Sequence, residues 1–164
     1  MKKTVWVGTL VLALGLAYAA DAGFLYARYC QVCHREDGSG TPGTFPSLGG
    51  SVRKLATFER GREYLIAVTL FGLKGMLVQG PYTYERFMPG YAPLLDDAEV
   101  AALLNWIRER FGWTRPAPAP VRPFTPEEVA RMRARALSPE QVHALLIEAE
   151  EILQTTPFRG APPP

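Results

Sequence analysis

Cys30-Gln31-Val32-Cys33-His34 is the stretch that decides how this chain is interpreted. Two cysteines three positions apart lie on the same side of a helical turn, and a histidine follows directly. This C-x-x-C-H spacing is typical of covalent haem attachment, in which both thiols add to the vinyl groups of one haem. The chain of 164 residues has no other cysteine. We therefore predict one covalent haem c, held by Cys30 and Cys33, with His34 as a ligand of the iron.

Three other uses of a C-x-x-C pair are weaker here. A thioredoxin-like redox pair needs a strand and helix in a βαβ pattern, whereas the residues before Cys30 have the periodicity of a helix. A structural zinc site usually has four nitrogen or sulfur ligands, and His143 is the only further residue of that kind. A disulfide between Cys30 and Cys33 would close very little chain.

The first residues have the pattern of an export signal. Met1-Lys2-Lys3 is a positive start, residues 5–16 form a short apolar run, and Ala17-Tyr18-Ala19 is a small-x-small cleavage site. A spanning helix needs about 20 apolar residues, so cleavage after Ala19 is favoured over an uncleaved anchor. We expect an exported, periplasmic protein that is soluble or loosely associated with the membrane.

The charge of the chain excludes some partners. The sequence has 18 basic and 16 acidic residues, and Lys2 and Lys3 account for the difference. The expected mature chain is therefore close to neutral. A nucleic-acid-binding protein needs a basic surface, so we expect no nucleic-acid partner. We also expect the protein to be a monomer.

Apolar spacing, turn residues and capping motifs predict a mainly α-helical fold with one β-hairpin. Helices are predicted at 21–33, 51–57, 60–70, 96–111, 126–136 and 139–153. The hairpin is predicted between Leu73 and Tyr84. The proline- and glycine-rich segments 37–50 and 87–91 are predicted to be loops, and a carbonyl of the first is expected to accept the ring N–H of His34.

The C-terminal quarter is predicted to be an extension of the haem domain. We divide the chain into a signal (1–19), a haem domain (20–112), a stiff Pro/Ala-rich linker (113–124) and a helical extension (125–164). Each helix of the extension begins with a capping motif, at Thr125 and at Ser138. The apolar stripe of the last helix is expected to pack on the haem domain as a clamp, and the alternative is a partner-binding or dimerising face.

A low-spin electron carrier needs a sixth iron ligand, and several side chains could supply it. The candidates are Met76, Met88, Met132, His143, Lys74 and Lys54. We favour Met88, because it lies in a proline-restrained loop just before the helix of Asp96, with Met76 as the second choice. A methionine opposite a histidine raises the reduction potential of a haem.

Together these features resemble the class I cytochromes c, most closely the soluble monohaem cytochromes c of extremely thermophilic bacteria with a C-terminal helical extension. The segments that carry the resemblance are Cys30–His34, Pro46–Leu48, Gly61–Ile66, Leu73–Tyr84, Met88, Leu103–Ile107, Pro123–Val129 and Leu137–Val142. The resemblance implies that the carbonyl of Pro46 bonds the ligand histidine. It also implies that Leu103 and Trp106 meet Gly23 and Tyr26.

This resemblance implies an electron-transfer protein and not an enzyme. We expect it to carry single electrons in a respiratory chain, from a quinol-oxidising complex to a terminal oxidase. One alternative is a haem c subunit of a periplasmic oxidoreductase complex, such as one that handles sulfite or nitrate. Another is a gas sensor or peroxidase with an open iron site, which requires that Met88 does not bind the iron.

Overall fold

The computed structural model describes residues 21–85, 87–111 and 121–155. The predicted signal peptide, residues 113–120 of the predicted linker and the last nine residues of the predicted extension lie outside the described residues. Within the described residues, no helix is long and apolar enough to cross a membrane.

Seven helices and four short strands make up the described chain. The helices are α1 (Ala22–Tyr29), α2 (Gln31–His34), α3 (Ser51–Leu55), α4 (Glu59–Phe71), α5 (Asp97–Arg110), α6 (Pro126–Arg133) and α7 (Pro139–Thr155). The strands are β1 (Gly72–Leu73), β2 (Leu77–Gln79), β3 (Tyr82–Tyr84) and β4 (Met88–Pro89). The predicted fold class, mainly α with a small hairpin and a C-terminal helical clamp, is confirmed.

The predicted first helix is divided in two. Asp21 caps the start of α1 by accepting hydrogen bonds from the amides of Gly23 and Phe24. Cys30 ends α1 and precedes α2, with φ −115° and ψ −36°. The remaining residues of the motif, Gln31–His34, form the single turn of α2.

Helix α4 is the centre of the molecule. It packs against α3, α5, α6 and α7, so nearly all of its residues from Gly61 to Leu70 are buried. Helices α1 and α5 cross beside it, and Tyr26 of α1 contacts the ring of Trp106 of α5. The Cβ position of Gly23 lies 3.6 Å from the same tryptophan ring, which agrees with the predicted crossing.

The strands form two antiparallel pairs. Strands β2 and β3 make the predicted hairpin, with Leu77 opposite Tyr84 and Gln79 opposite Tyr82. Strands β1 and β4 form a second pair, in which Leu73 lies opposite Met88. The prediction that residues 87–91 are irregular was wrong at Met88 and Pro89, because the partner strand β1 is distant in the sequence.

Helix α3 begins at Ser51, as predicted, and ends at Leu55, two residues earlier than predicted. Gly50 occupies the capping position, and the Ser51 hydroxyl donates to the carbonyl of Ser47. The two capping motifs of the extension form as predicted: Thr125 with Glu128, and Ser138 with Gln141. The two capping motifs, in which each side chain accepts from the other residue's backbone amide, therefore predicted the starts of α6 and α7 correctly.

Candidate haem site

The two cysteines of the motif line one cavity. Cys30 is buried and Cys33 is partly exposed, and both are free thiols. Burial, with a smaller contribution from Cys33, raises the pKa of the Cys30 thiol to about 12. A reactive redox cysteine needs a lowered thiol pKa, so the surroundings of Cys30 do not suit a thioredoxin-like pair.

The zinc alternative has no support in the described part of the chain. No group of three or more His, Cys, Asp or Glu side chains there could hold a metal ion. His143, the one further histidine, lies on α7, and its Nε2 is 2.6 Å from the carbonyl oxygen of Met76. It is not in the cavity lining, so it does not complete a site with Cys30 and Cys33.

His34 is buried beside the cysteines, and its ring is held in a defined orientation. Its Nδ1 lies 2.9 Å from the carbonyl oxygen of Pro46. A carbonyl can only accept, so Nδ1 carries the proton. Burial lowers the pKa of His34, and the Pro46 carbonyl opposes this more weakly. The ring is therefore neutral with a free lone pair on Nε2, which is the form that binds iron.

The loop that presents Pro46 is tied down on both sides. The Gln79 side chain of β2 bonds the amide and the carbonyl of Ser47, each at 2.9 Å. The Ser47 hydroxyl and the Leu48 amide both donate to the carbonyl of Gly38. The hairpin thus holds the loop that orients His34, a long-range contact that sequence reasoning missed.

Met88 lies in the lining of the same cavity, and strand pairing fixes its backbone. Gly72, its neighbour in β1, has φ +79°, and an added Cβ would lie 2.1 Å from the Met88 carbonyl oxygen. Only glycine permits this close approach at that φ. Met88 is thus placed by β1, which directly follows the central helix α4.

The other ligand candidates lie elsewhere, apart from Lys54. Met76 is 56% exposed in the β1–β2 loop. Met132 is 4% exposed in the core formed by α6. Lys74 forms an ion pair with Glu140. Of the six candidates, only Met88 and Lys54 line the cavity.

The cavity has the size and lining that a haem requires. Its volume is about 520 Å³, within the range of about 300–1,000 Å³ for cofactor sites. Its lining is mostly apolar and includes Val52, Leu55, Leu65, Val68, Leu104 and Ile107. Two thiols, a neutral imidazole and a thioether share this lining, and that donor set suits covalent haem c.

The last helix also lines the cavity, which the sequence analysis did not foresee. Leu146, Glu150 and Leu153 of α7 face it, and their spacing of three or four residues is that of one helix face. Leu146 and Leu153 belong to the apolar stripe that was predicted to pack on the haem domain, whereas the polar Glu150 between them gave no such signal. Burial raises the pKa of Glu150.

Comparison with known proteins agrees with this site. The cytochrome c family model matches residues 19–110. Two proteins named cytochrome c-552, from Thermus thermophilus, are each 42% identical to the chain. One match spans 144 residues, 88% of this chain and 95% of the relative, and the other spans 125 residues, 76% and 93%.

A more distant relative is part of an enzyme. The cytochrome c subunit of a quinone alcohol dehydrogenase from Gluconacetobacter polyoxogenes is 29% identical over 124 residues. This match covers 75% of the chain but 24% of that subunit. The family match and the thermophile relatives together identify the chain as a member of the cytochrome c family, a class I c-type cytochrome that binds haem c covalently and transfers electrons.

Proposed function

We propose that this protein is an exported single-electron carrier of a respiratory chain. In it, Cys30 and Cys33 would hold the haem through two thioether bonds, and His34 and Met88 would bind its iron. The observation that carries this proposal is that all four side chains line one apolar cavity.

The protein holds the His34 ring in the orientation and tautomer that iron binding requires. The hydrogen bond from its Nδ1 to Pro46 fixes the tautomer and makes the imidazole a better electron donor. Burial keeps the ring neutral, so no proton has to leave Nε2 when it binds iron.

Met88 supplies a soft thioether sulfur, which favours the reduced iron and raises the potential. Its side chain would also keep oxygen and peroxide from the iron. The haem supplies the reversible one-electron chemistry. The apolar lining keeps water away, and the short β1–β4 pair limits the movement of Met88.

The proposed electron donor is a quinol-oxidising complex and the proposed acceptor is a terminal oxidase. Support comes from the resemblance to thermophile cytochromes and from the apolar side chains beside the ligands. Val32, between the cysteines, is 84% exposed, and Phe87, beside Met88, is 58% exposed. A near-neutral protein with exposed apolar residues at its redox centre is suited to docking by apolar contact.

A second candidate is a redox subunit of an oxidoreductase complex, which the alcohol dehydrogenase relative favours. That candidate would use the apolar stripe of α7 as an interface. However, Val142, Leu145 and Ala149 of the stripe are buried within this chain, and α7 packs on α4. The carrier is therefore the better supported of the two.

Optical spectra of the holoprotein test the ligand assignment. Wild type is expected to be low-spin with a methionine–iron charge-transfer band. Met88→Ala should lose the band and bind carbon monoxide rapidly when reduced, whereas the matched control Met76→Ala should keep it. A band that survives Met88→Ala would refute the assignment, and rapid carbon monoxide binding by wild type would favour the sensor or peroxidase alternative.

Two measurements on the native system test the partners. Membranes from the source organism should oxidise the reduced holoprotein, and cyanide should block this if a terminal oxidase is the acceptor. The protein should elute alone, at the mass of a monomer, from gently lysed cells. Elution in fixed stoichiometry with a dehydrogenase subunit, and no oxidation by membranes, would support the second candidate.

A further inference from the structure

The three residues of the β1–β2 loop are held by the first turns of α7. The amide of Lys74 donates to the carbonyl of Pro139 at 3.3 Å, and its ammonium nitrogen lies 3.0 Å from a carboxylate oxygen of Glu140. At the other end of the loop, Nε2 of His143 lies 2.6 Å from the carbonyl oxygen of Met76. Both ends of the loop are therefore attached to the C-terminal extension.

The middle residue of the loop, Gly75, leaves the space that the His143 ring occupies. Gly75 has φ +153°, and a Cβ added to it would lie 2.4 Å from Cγ of His143. Residues with a side chain rarely adopt this φ, and a Cβ at that point would displace the imidazole. The loop backbone and the imidazole ring therefore fit directly against each other.

His143 is the main side-chain attachment of the loop. A carbonyl can only accept, so Nε2 carries a proton and donates to Met76. This proton is present both in the imidazolium form and in the neutral tautomer protonated at Nε2, so the bond does not require a charged ring. The ion pair of Lys74 with Glu140 is 67% and 56% exposed, and such a surface pair contributes little.

The loop leads directly to the strand pair that presents Met88. Leu73, the last residue of β1 and the neighbour of Lys74, lies opposite Met88 in β4. The pair has two residues in each strand, and a ladder this short is marginal by itself. Helix α4 directly precedes β1 and fixes its start. The other end of β1 is fixed only as well as the loop that follows it.

We infer that His143 is a positioning residue for Met88. It holds the β1–β2 loop against α7, and the loop restrains β1 and thereby the strand that presents the Met88 sulfur. The extension then contributes to the redox site as well as to stability. This inference rests on the proposal that Met88 binds the haem iron.

Imidazole binding to the oxidised holoprotein tests the inference. Added imidazole competes with Met88 for the iron, so its apparent Kd, measured at one fixed pH, includes the free energy of releasing the methionine. His143→Leu keeps the bulk of the side chain and removes the donor. It should bind imidazole about three- to tenfold more tightly than wild type, the range expected for the loss of one hydrogen bond.

Two further variants separate positioning from general destabilisation. His143→Gln can donate through its amide, so its imidazole affinity should stay close to that of wild type. Glu148→Gln removes a contact of α7 with Arg60, away from the loop, and should leave the affinity unchanged. The inference would be overturned by equal affinities in wild type and His143→Leu, or by the same tighter binding in His143→Gln or Glu148→Gln.

A measurement on wild type does not depend on any variant. In the reduced holoprotein, the Nε2 proton of His143 should exchange slowly and show scalar coupling across the hydrogen bond to the carbonyl carbon of Met76. Absence of this coupling, with rapid exchange, would also reject the inference.

Failure of the inference can be distinguished from failure of the proposed function. If Met88 were not the ligand, the wild-type spectrum would lack the methionine–iron band. A wild type with the band, together with an imidazole affinity that His143→Leu does not change, would reject the positioning role alone.

Discussion

Two contacts between helices in this molecule depend on different interactions. One is the crossing of α1 and α5, and the other is the attachment of the C-terminal extension. At the crossing, the ring of Tyr26 lies 5.1 Å from that of Trp106 and 4.8 Å from that of Phe111. The rings of Trp106 and Phe111 meet edge to face at 5.3 Å. This contact is held mainly by apolar burial and ring packing.

The start of the extension is fastened by arginines, in addition to the apolar burial of α6 and α7. Arg62 of α4, with a side chain 3% exposed, forms an ion pair of 2.7 Å with Glu128 of α6. Its Nη1 donates to the carbonyl of Arg122, and its Nη2, which also pairs with Glu128, donates to the carbonyl of Pro123. Its guanidinium also lies 4.1 Å from the centre of the Phe124 ring. One side chain therefore holds both the approach to α6 and its first turn.

Other arginines repeat this arrangement. Arg133 of α6 bonds Asp97 at the start of α5 and the carbonyls of Ala92 and Leu95. Arg108 of α5 bonds the carbonyls of Val121 and Arg122. The irregular segment before α6 has few backbone amides that could donate to its own carbonyls. Guanidinium groups, with five N–H donors each, donate to these carbonyls instead. An irregular segment can therefore be attached specifically by side-chain donors to its backbone carbonyls, alongside the apolar burial of the helices that follow it.

The largest loss of stability is expected for Tyr26→Ala. Removing a fully buried aromatic ring costs about 3–5 kcal/mol, and the lost hydrogen bond to Arg35 adds about 1 kcal/mol. Urea unfolding of the holoprotein measures this loss. Phe24→Ala is the control on the same helix, and because Phe24 is 61% exposed it should change stability by less than about 0.5 kcal/mol.

Arg62→Met should cost slightly less, about 3–5 kcal/mol, since it leaves Glu128 buried without its main partner. The control is Arg60→Met, whose ion pairs with Glu63 and Glu148 are more exposed and worth at most about 1 kcal/mol. Equal losses from the two arginine variants would mean that the buried pair does not fasten the extension. Urea is preferable to guanidinium here, because salt screens the ion pairs.

Acid should distinguish the two kinds of contact. Burial alone would raise the pKa of Glu128, but hydrogen bonds from Arg62 and Arg122 outweigh it and leave the pKa lowered. A lowered pKa in the folded state means stability that is present at neutral pH and lost as pH falls through that pKa. The difference in unfolding free energy between wild type and Arg62→Met should therefore narrow below about pH 4. The corresponding difference for Tyr26→Ala should remain. If the difference in unfolding free energy between wild type and Arg62→Met did not change with pH, the ion pair with Glu128 would not be its cause.

The smallest effect is expected for Glu150→Gln in α7. A carboxyl with a raised folded pKa destabilises the protein as pH rises through that pKa. The variant should therefore be more stable than wild type at neutral pH and equal to it in acid. Glu151→Gln, at an exposed position of the same helix, should show no such gain. A loss of stability in Glu150→Gln would show that the carboxylate has a favourable partner in the holoprotein.

Signals confined to a few neighbouring residues were sufficient to predict much of the fold. The reciprocal capping pairs Thr125–Glu128 and Ser138–Gln141 set the starts of α6 and α7 correctly. The motif Cys30–His34 indicated the cofactor, because its spacing alone sets which side chains share a helical turn. The sequence could not indicate that Gln79 holds the loop of Pro46, since 32 residues separate Gln79 from Ser47.

The sequence by itself was sufficient to predict most of the helices, the hairpin, the haem motif and the family, because each depends on residues that are close along the chain. Only the tertiary structure decided the pairing of β1 with β4, the burial of Arg62 against Glu128 and the entry of α7 into the cavity wall. These contacts join residues far apart in the chain, and their free energy depends on what else is buried around them. Glu128 illustrates the division: its capping role was visible in the sequence, but its ion pair with Arg62 exists only because α6 packs on α4.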